Sequence, residues 1–276
     1  MIKITTKIII LVFLSIFFIL SLILNKTLVR NSLFSFNIPP AKINTPPIIR
    51  IYIPHPILKS FQRQLLHKVF DKFNTHLCLY GGRESSTKKA VHAHIKKPIV
   101  ITMDIRNFFP SVKKYSIINA LNTFGISEDL SMIVARLVSC HNHLPQGAPT
   151  SPCIGRLVLN QFAVELDSML KGIHSNSAFS IYVDDITISG HEGIKRIIPT
   201  VEKMLFRHGY KIRKGKTQVM HRSDEQISLN IRLNNRIEAT SIFLAEIEEL
   251  EKRLPPWNPK ILGKKAYVKY LLKPLS

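Results

Sequence analysis

The longest apolar stretch comes first. Residues 8–24 form a run of 17 uncharged positions, with Ser15 and Ser21 as its polar members. It lacks the polar stripe of a soluble amphipathic helix. Lys3 and Lys7 precede it, and Lys26 and Arg30 follow. Its length lies at the short end for a membrane-spanning helix and is long for a signal-peptide core, and no A-x-A-like cleavage site follows. The run reads as an uncleaved hydrophobic helix, a membrane anchor within residues 1–30. A cleaved signal and a misplaced start codon are the alternatives. The balanced flanking charges leave its orientation open.

Beyond the run the periodicity changes repeatedly. Residues 37–56 hold six prolines, Pro39, Pro40, Pro46, Pro47, Pro54 and Pro56, the composition of a stiff linker or an irregular sheet edge. Leu58, Phe61, Leu65, Leu66, Val69, Phe70 and Phe73 recur at helical spacing and predict an amphipathic helix over 56–74. The segment PIVITMDI at 98–105 is short, β-branched and opened by Pro98, as a buried strand is. Helices are expected at 115–124 and 128–139, the second with Ser127 as N-cap and Glu128 and Asp129 in its first turn. Pro152 opens a third, with Leu157, Val158, Phe162, Leu166 and Met169 on one side. AFSIYVDDITISG at 178–190 predicts two short strands about a tight acidic turn. A helix at 194–208 ending near Gly209, strands at 216–221 and 227–233, and helices at 240–253 and 260–272 complete the pattern. Strands and helices mix without regular alternation, so the fold class is α+β.

Charge adds a partner class. Lys and Arg number 39 against 18 Asp and Glu, a net charge of +21, in a chain of 276 residues that is 45% hydrophobic. The cations are spread along the chain, which favours a folded groove for a polyanion over a basic tail; a membrane surface is the other reading. Cys78, Cys140 and Cys153 are odd in number and form no CxxC pair, which fits a reducing compartment. Cys140, His141 and His143 lie close together but match no standard zinc spacing.

The chemistry concentrates in three carboxylates. Asp184 and Asp185 stand adjacent at the expected hairpin turn, flanked by Ile181, Tyr182, Val183 and Ile186. Alone, such a pair is usually a solvated turn. Asp104 ends the buried strand, and antiparallel pairing would bring it beside Asp184. Three carboxylates at neighbouring strand ends suit two hard, oxygen-liking cations, the arrangement of in-line phosphoryl transfer.

The surrounding segments decide between these readings. RIYIP at 50–54 with LKSFQR at 58–63, MDIRNFFPSV at 103–112, LPQGAPTSP at 144–152, YVDD at 182–185, GYKIRKGKT at 209–217, ISLNIRLNNR at 227–236 and LGKKAYVKYL at 262–271 occur in this order. Together they resemble the reverse transcriptases, and among them the bacterial retron and group II intron branch, over about residues 34–273. LPQGAPTSP is the most specific of them.

The resemblance implies a right-hand polymerase: fingers and palm over 31–239, with an antiparallel-sheet palm, and a short helical thumb over 240–276. The proline-rich 37–56 stretch becomes the entry to the fingers. Asp104, Asp184 and Asp185 match the metal-binding aspartates, with the Ile105 carbonyl as a further ligand. The implied cofactor is a pair of Mg²⁺ ions, with Mn²⁺ as the substitute. Phe109 matches the aromatic that excludes a ribose 2′-hydroxyl. Gln146 and Gly147 match the element beside nucleotide and template, Arg50 the arginine on the incoming base, Lys42 the lysine near its phosphates, and Lys216 the lysine that protonates pyrophosphate.

Some positions depart from the family pattern. Val183 replaces a common Ala, Asn230 a usual Gly, and PCIGRLVLN at 152–160 the common SPxxSN. The hydrophobic start replaces amphipathic N-terminal helices, and the thumb is short. None of these removes a catalytic group. The implied activity is RNA-directed DNA synthesis with a structured RNA template and primer, an RNA–DNA duplex and deoxynucleoside triphosphates, in a retron-like antiviral system. The catalytic part would lie in the cytoplasm, anchored to the inner membrane by residues 8–24. Alternatives are a template-independent DNA polymerase of the same fold, a membrane-anchored RNA-binding protein that has lost catalysis, and a group II intron enzyme, for whose extra domains the chain has little room.

Overall fold

The computed structural model describes residues 34–37, 51–82, 85–173 and 176–274. The expected N-terminal helix and anchor at 8–24, Lys42 and Arg50 lie outside the described residues. Among the described residues no helix is long and apolar enough to cross a membrane. The chain forms two compact units, Met1–Asn74 with Phe109–Val158, and Thr75–Phe108 with Leu159–Ser276.

In the first unit β1 (Phe34–Asn37) pairs antiparallel with β2 (Ile51–Pro54). Strand β2 alternates, with Ile51 and Ile53 exposed and Tyr52 buried. Pro56 opens α1 (Pro56–Lys68), which buries Leu58, Phe61, Gln62 and Leu65. The expected helix to residue 74 stops at Lys68, and a 3₁₀ turn over Phe70–Lys72 replaces its last turn. That tighter turn carries the fully buried Phe70 inward, and Phe73 stacks on Phe124 at 5.1 Å between centroids. The helices α2 (Thr87–Val91) and α3 (Phe108–Ser111) are short; α4 (Lys114–Thr123) and α5 (Glu128–Val138) pack together in the first unit. Ser127 occupies the N-cap of α5 as expected, but its side chain makes no capping bond. The buried Gln62 amide donates to Leu137 C=O (2.9 Å), satisfying a carbonyl that the end of α5 leaves open. α6 (Ser151–Ile173) begins in this unit.

The second unit is built on a five-stranded sheet in the order β3-β5-β6-β4-β7. Its strands are β3 (Leu79–Tyr80), β4 (Ile99–Asp104), β5 (Ala178–Tyr182), β6 (Asp185–Gly190) and β7 (Gln218–His221). All pairings are antiparallel except β3 with β5. Strict alternation divides the sheet faces. Ile99, Ile101, Met103, Phe179, Ile181, Ile186 and Ile188 are all buried and share one face. Val100, Thr102, Asp104, Ser180, Asp185, Thr187 and Ser189 occupy the other.

That second face is polar yet closed. His94 is fully buried, with Nδ1 2.7 Å from Ser189 Oγ and Nε2 2.9 Å from Ser180 Oγ. Burial pushes its imidazole down to about 3, so it is neutral and donates to one hydroxyl while accepting from the other. Beside it, Val100 and Met220 join Val91, Ile231, Leu233 and Leu271 in a core, against which Phe243 and Tyr267 pack.

The helix expected at 194–208 is a 3₁₀ segment, Glu192–Ile197, followed by α7 (Ile198–Arg207). The expected strand at 227–233 is instead two: β8 (Ile227–Ser228) and β9 (Ile231–Arg232), paired antiparallel. Leu229 (φ 51°) and Asn230 (φ 60°) turn the chain between them. Two positive φ values define a type I′ hairpin turn; Asn tolerates that conformation, but Leu gives no warning of it. β10 (Glu238–Ala239) extends this small sheet, and α8 (Ser241–Arg253) and α9 (Pro259–Leu272) follow. The buried Lys88 ammonium receives the C-terminal end of α9, donating to Tyr270 C=O (3.1 Å) and Lys273 C=O. A cation there also opposes the negative end of the helix.

Candidate active site

The hairpin of β5 and β6 places two carboxylates at its tip. Tyr182 pairs with Asp185, so Val183 and Asp184 form a two-residue turn. Val183 has φ 60°, and Asp184 has no positive φ. A positive φ at the first central position alone is the type II′ pattern, which ordinarily takes glycine there. A β-branched residue in that conformation is strained.

Antiparallel pairing then brings in the third carboxylate. Asp104 is the register partner of Asp185, and Ile105 N–H donates to Asp184 C=O at 3.0 Å. The expectation placed Asp104 beside Asp184; the register places it opposite Asp185, one residue on. Ile105 is fully buried next to this junction.

Two cations flank the group. Arg213 N–H donates to Asp104 C=O (2.8 Å), and its Nε lies 3.1 Å from Asp104 Oδ1. The second contact lacks hydrogen-bond geometry, so Oδ1 is buried without a hydrogen-bond partner. Lys216 N–H donates to Arg213 C=O (3.2 Å) across a turn with Gly215 at φ 79°. Glycine is the residue that a type II turn asks for at that position. The turn sets the exposed Lys216 near enough for its charge to act on Asp185.

The carboxylates bear the cost of crowding. Burial, then the neighbouring Asp184 and Asp104, pushes Asp185 up to about 6, against the opposing pull of Lys216 and Arg213. Asp185 as a whole residue remains exposed to solvent. Burial also raises Asp184, and Asp104 adds to the rise. Repulsion of this kind is relieved by a bound cation.

The donor set fits divalent metal in kind. It offers three hard carboxylates on paired strand ends, one with an orphaned buried oxygen. As they stand, no three His, Cys, Asp or Glu side chains among the described residues converge closely enough to hold an ion, and Arg213 occupies the flank of Asp104.

The remaining expected site residues that are described, Phe109, Gln146 and Gly147, belong to the first unit. Phe109 is half-buried on α3, whereas its neighbour Phe108 is a core residue packed edge-on against Tyr210 at 5.7 Å. Gln146 C=O accepts from Tyr52 N–H at 2.8 Å. Gly147 has φ 108°, and a Cβ there would stand 2.8 Å from Ile51 Cγ2 and 3.1 Å from Tyr52 O. Glycine is required on both counts. Cys140, His141 and His143 form a separate tight hairpin, with Cys140 and His143 bridged and Tyr52 packed against both imidazoles. Sequence reasoning overlooked Arg213, although it lies within GYKIRKGKT, three residues before Lys216.

Comparison with known proteins gives the family. The mixed helices and antiparallel sheet are a fold of the reverse transcriptase type. Residues 46–271 match the family model described as reverse transcriptase (RNA-dependent DNA polymerase). The chain belongs to that family. It is 29% identical over 191 residues to the retron Se72 reverse transcriptase of Salmonella heidelberg, covering 66% of this chain and 49% of the relative. It is 26% identical over 151 residues to the retron Ec86 reverse transcriptase of Escherichia coli, covering 54% and 46%. The chain thus spans about half the length of these relatives. Among solved structures, telomerase from Candida albicans in complex with a fragment of telomeric RNA aligns with a TM-score of 0.53 at 11% identity, over 86% of this chain and 54% of that one. Apo telomerase from Candida tropicalis, truncated from its C-terminal domain, gives 0.56 at 10% identity, over 77% and 56%. At these identities the likeness concerns the fold alone.

Proposed function

We propose that this protein is an RNA-directed DNA polymerase that copies a structured RNA into DNA. The observation that carries the reading is the register of Asp104 on Asp185, with Asp184 in the adjoining turn. Asp104, Asp184 and Asp185 would hold divalent cations, Mg²⁺ in the cell and Mn²⁺ as a substitute, with the Ile105 carbonyl as a further ligand. When bound, these ions supply charge neutralisation at the attacking and leaving oxygens. The primer 3′-oxygen attacks the α-phosphorus of a deoxynucleoside triphosphate, and the bond to pyrophosphate breaks. Lys216 holds a proton for that leaving group, and Arg213 offers it a second cation. Phe109 excludes a ribose 2′-hydroxyl. Gln146 and Gly147 lie beside the nucleotide and template, Arg50 on the incoming base and Lys42 near its phosphates.

Residues 31–239 make up fingers and palm, and residues 240–276 the thumb. The net charge of +21 suits a duplex held through its phosphates and sugars. The resemblance to the retron branch implies a dedicated RNA as template and primer, and a part in antiviral defence. Residues 8–24 anchor the protein to the inner membrane, with the catalytic part in the cytoplasm.

The test is primer extension by the full chain with deoxynucleotides and Mg²⁺ on a primed RNA, on a primed DNA, and on primer alone. Template-length product on RNA is expected. Product of unrelated length on primer alone would replace this reading with untemplated synthesis.

A further inference from the structure

Helix α7 buries Val201, Met204 and Leu205. The next position of that stripe is His208, half-buried and edge-on to Phe162 at 6.0 Å. Phe206 falls between them on the outward side and is 63% exposed. Packing of the helix asks for no aromatic there. The ring is met instead by a charge: Lys211 Nζ lies 5.7 Å from its centroid. Lys203, one turn earlier, and Arg207, the next residue, are exposed beside it, and Arg207 lies 3.6 Å from Glu165. The wider segment is one-sided in charge. From Ile194 to Arg222 stand nine Lys and Arg against one carboxylate, Glu202.

This strip flanks the carboxylates without belonging to them. Arg106 N–H donates to Lys211 C=O (2.7 Å), Ile105 bridges Ile212, and Arg213 N–H donates to Asp104 C=O. Ile105 N–H points the other way, to Asp184 C=O. Successive amides of an extended chain leave on opposite edges. The segment that carries Lys211 and the acidic hairpin therefore border opposite edges of residues 104–106. Lys211, and Phe206 with it, stand on the edge away from the hairpin.

We propose that Phe206, Lys203, Arg207 and Lys211 form an accessory site for single-stranded RNA, with an unpaired base on the exposed ring and phosphates on the three cations. The charge names a polyanion. The ring narrows it to one with unstacked bases: any free base has a face that stacks on an aromatic, whereas a duplex offers phosphates, sugars and groove edges. An acidic protein segment is the rival occupant, and it would bring no base to the ring. The inference rests on the reading of the chain as a polymerase that works on a structured RNA. The unpaired stretches of such an RNA take this second hold outside the site of synthesis.

The experiment uses the full chain and a short oligouridylate carrying 4-thiouridine. Affinity is read by fluorescence anisotropy over a salt series, and the contact by mapping the photo-crosslink. The crosslink is expected at Phe206 and should survive an excess of blunt RNA–DNA duplex, which fills the site of synthesis. Phe206→Ala should weaken binding about tenfold at every salt concentration, because a stacked base is lost and no phosphate contact is. Lys203→Gln and Lys211→Gln should each flatten the slope of log affinity against log salt by about 0.7. Phe206→Trp should restore wild-type affinity. Unchanged affinity in Phe206→Ala would overturn the proposal and leave the strip to an acidic protein partner. Crosslinks only elsewhere, or a Phe206 crosslink that the duplex abolishes, would overturn it as well. A wild type that binds and crosslinks as expected but extends no primer would instead overturn the reading of the chain as a polymerase, with the RNA site still standing.

Discussion

Arg213 and Asp104 meet twice: backbone N–H to backbone C=O at 2.8 Å, and guanidinium Nε to carboxylate Oδ1 at 3.1 Å. The first contact ties the loop segment that carries the arginine to the end of β4. The second places a cation where a carboxylate needs one. Arg213 thus opposes any metal ion that approaches Asp104. For side chains this accessible, the opposition amounts to about 1 kcal/mol. Arg213→Gln should therefore bind Mn²⁺ about fivefold more tightly, as measured by electron paramagnetic resonance of the free ion. Weaker Mn²⁺ binding in the variant would mean that the arginine assembles the site rather than competing for it.

Asp185 links the site to stability. Its folded-state value, about 6, stands above the ordinary 3.8. The metal-free fold therefore binds this proton more tightly than the unfolded chain does. The resulting penalty is absent below about pH 4, grows as pH rises towards 6, and persists above it. Discounted for solvent at the exposed carboxylate, it is about 1 kcal/mol. Asp185→Asn should raise the metal-free melting temperature at pH 7.5 by a few degrees and leave it unchanged at pH 4. Equal shifts at both pH values would contradict this assignment.

Val183 holds a left-handed conformation that costs a β-branched residue about 1–2 kcal/mol, while glycine loses about 0.5–1 kcal/mol in chain entropy. Val183→Gly should then stabilise the protein by up to about 1 kcal/mol in urea unfolding. Destabilisation would show that side-chain packing of Val183 outweighs its backbone strain.

Lys88 is buried and donates to the carbonyls that end α9. Lys88→Met should lower stability by about 2 kcal/mol, because those carbonyls lose their donor. Thermal melts check this. Lys273→Ala should have no such effect, since only the backbone oxygen of residue 273 takes part.

Phe109 and Phe108 divide their work. Phe108 is core, and Phe109 is half-buried. Phe109→Ala should keep the fold and raise ribonucleotide incorporation relative to deoxynucleotide at least tenfold in single-nucleotide extension. Unchanged sugar selectivity would remove Phe109 from that role.

Much of this architecture was legible beforehand. β4, the acidic hairpin and the helices α4 to α6 announce themselves through period, β-branching and proline placement. The three aspartates follow from a carboxylate pair that folding does not ask for. Register was not legible: pairing Asp104 with Asp185 rather than Asp184 depends on one residue of turn length. The β8–β9 turn was hidden because Leu229 looks like strand and only Asn230 hints at a left-handed backbone. The buried hydroxyl contact of Thr187 with Ser228 and the Arg213 contact join positions far apart in sequence, and neither residue type announces a partner. Gly147 stood out only by resemblance, whereas the close approach of Ile51 and Tyr52 gives its physical reason.

The most direct measurement is primer extension on a primed RNA with Mg²⁺ and deoxynucleotides, comparing the full-length wild type with Asp184→Asn/Asp185→Asn at matched RNA occupancy. Template-length DNA from wild type, with at least a thousandfold loss in a double variant that still binds RNA, is the expected result. Comparable product from both proteins would contradict the account, because the carboxylate hairpin would then not be the site of synthesis.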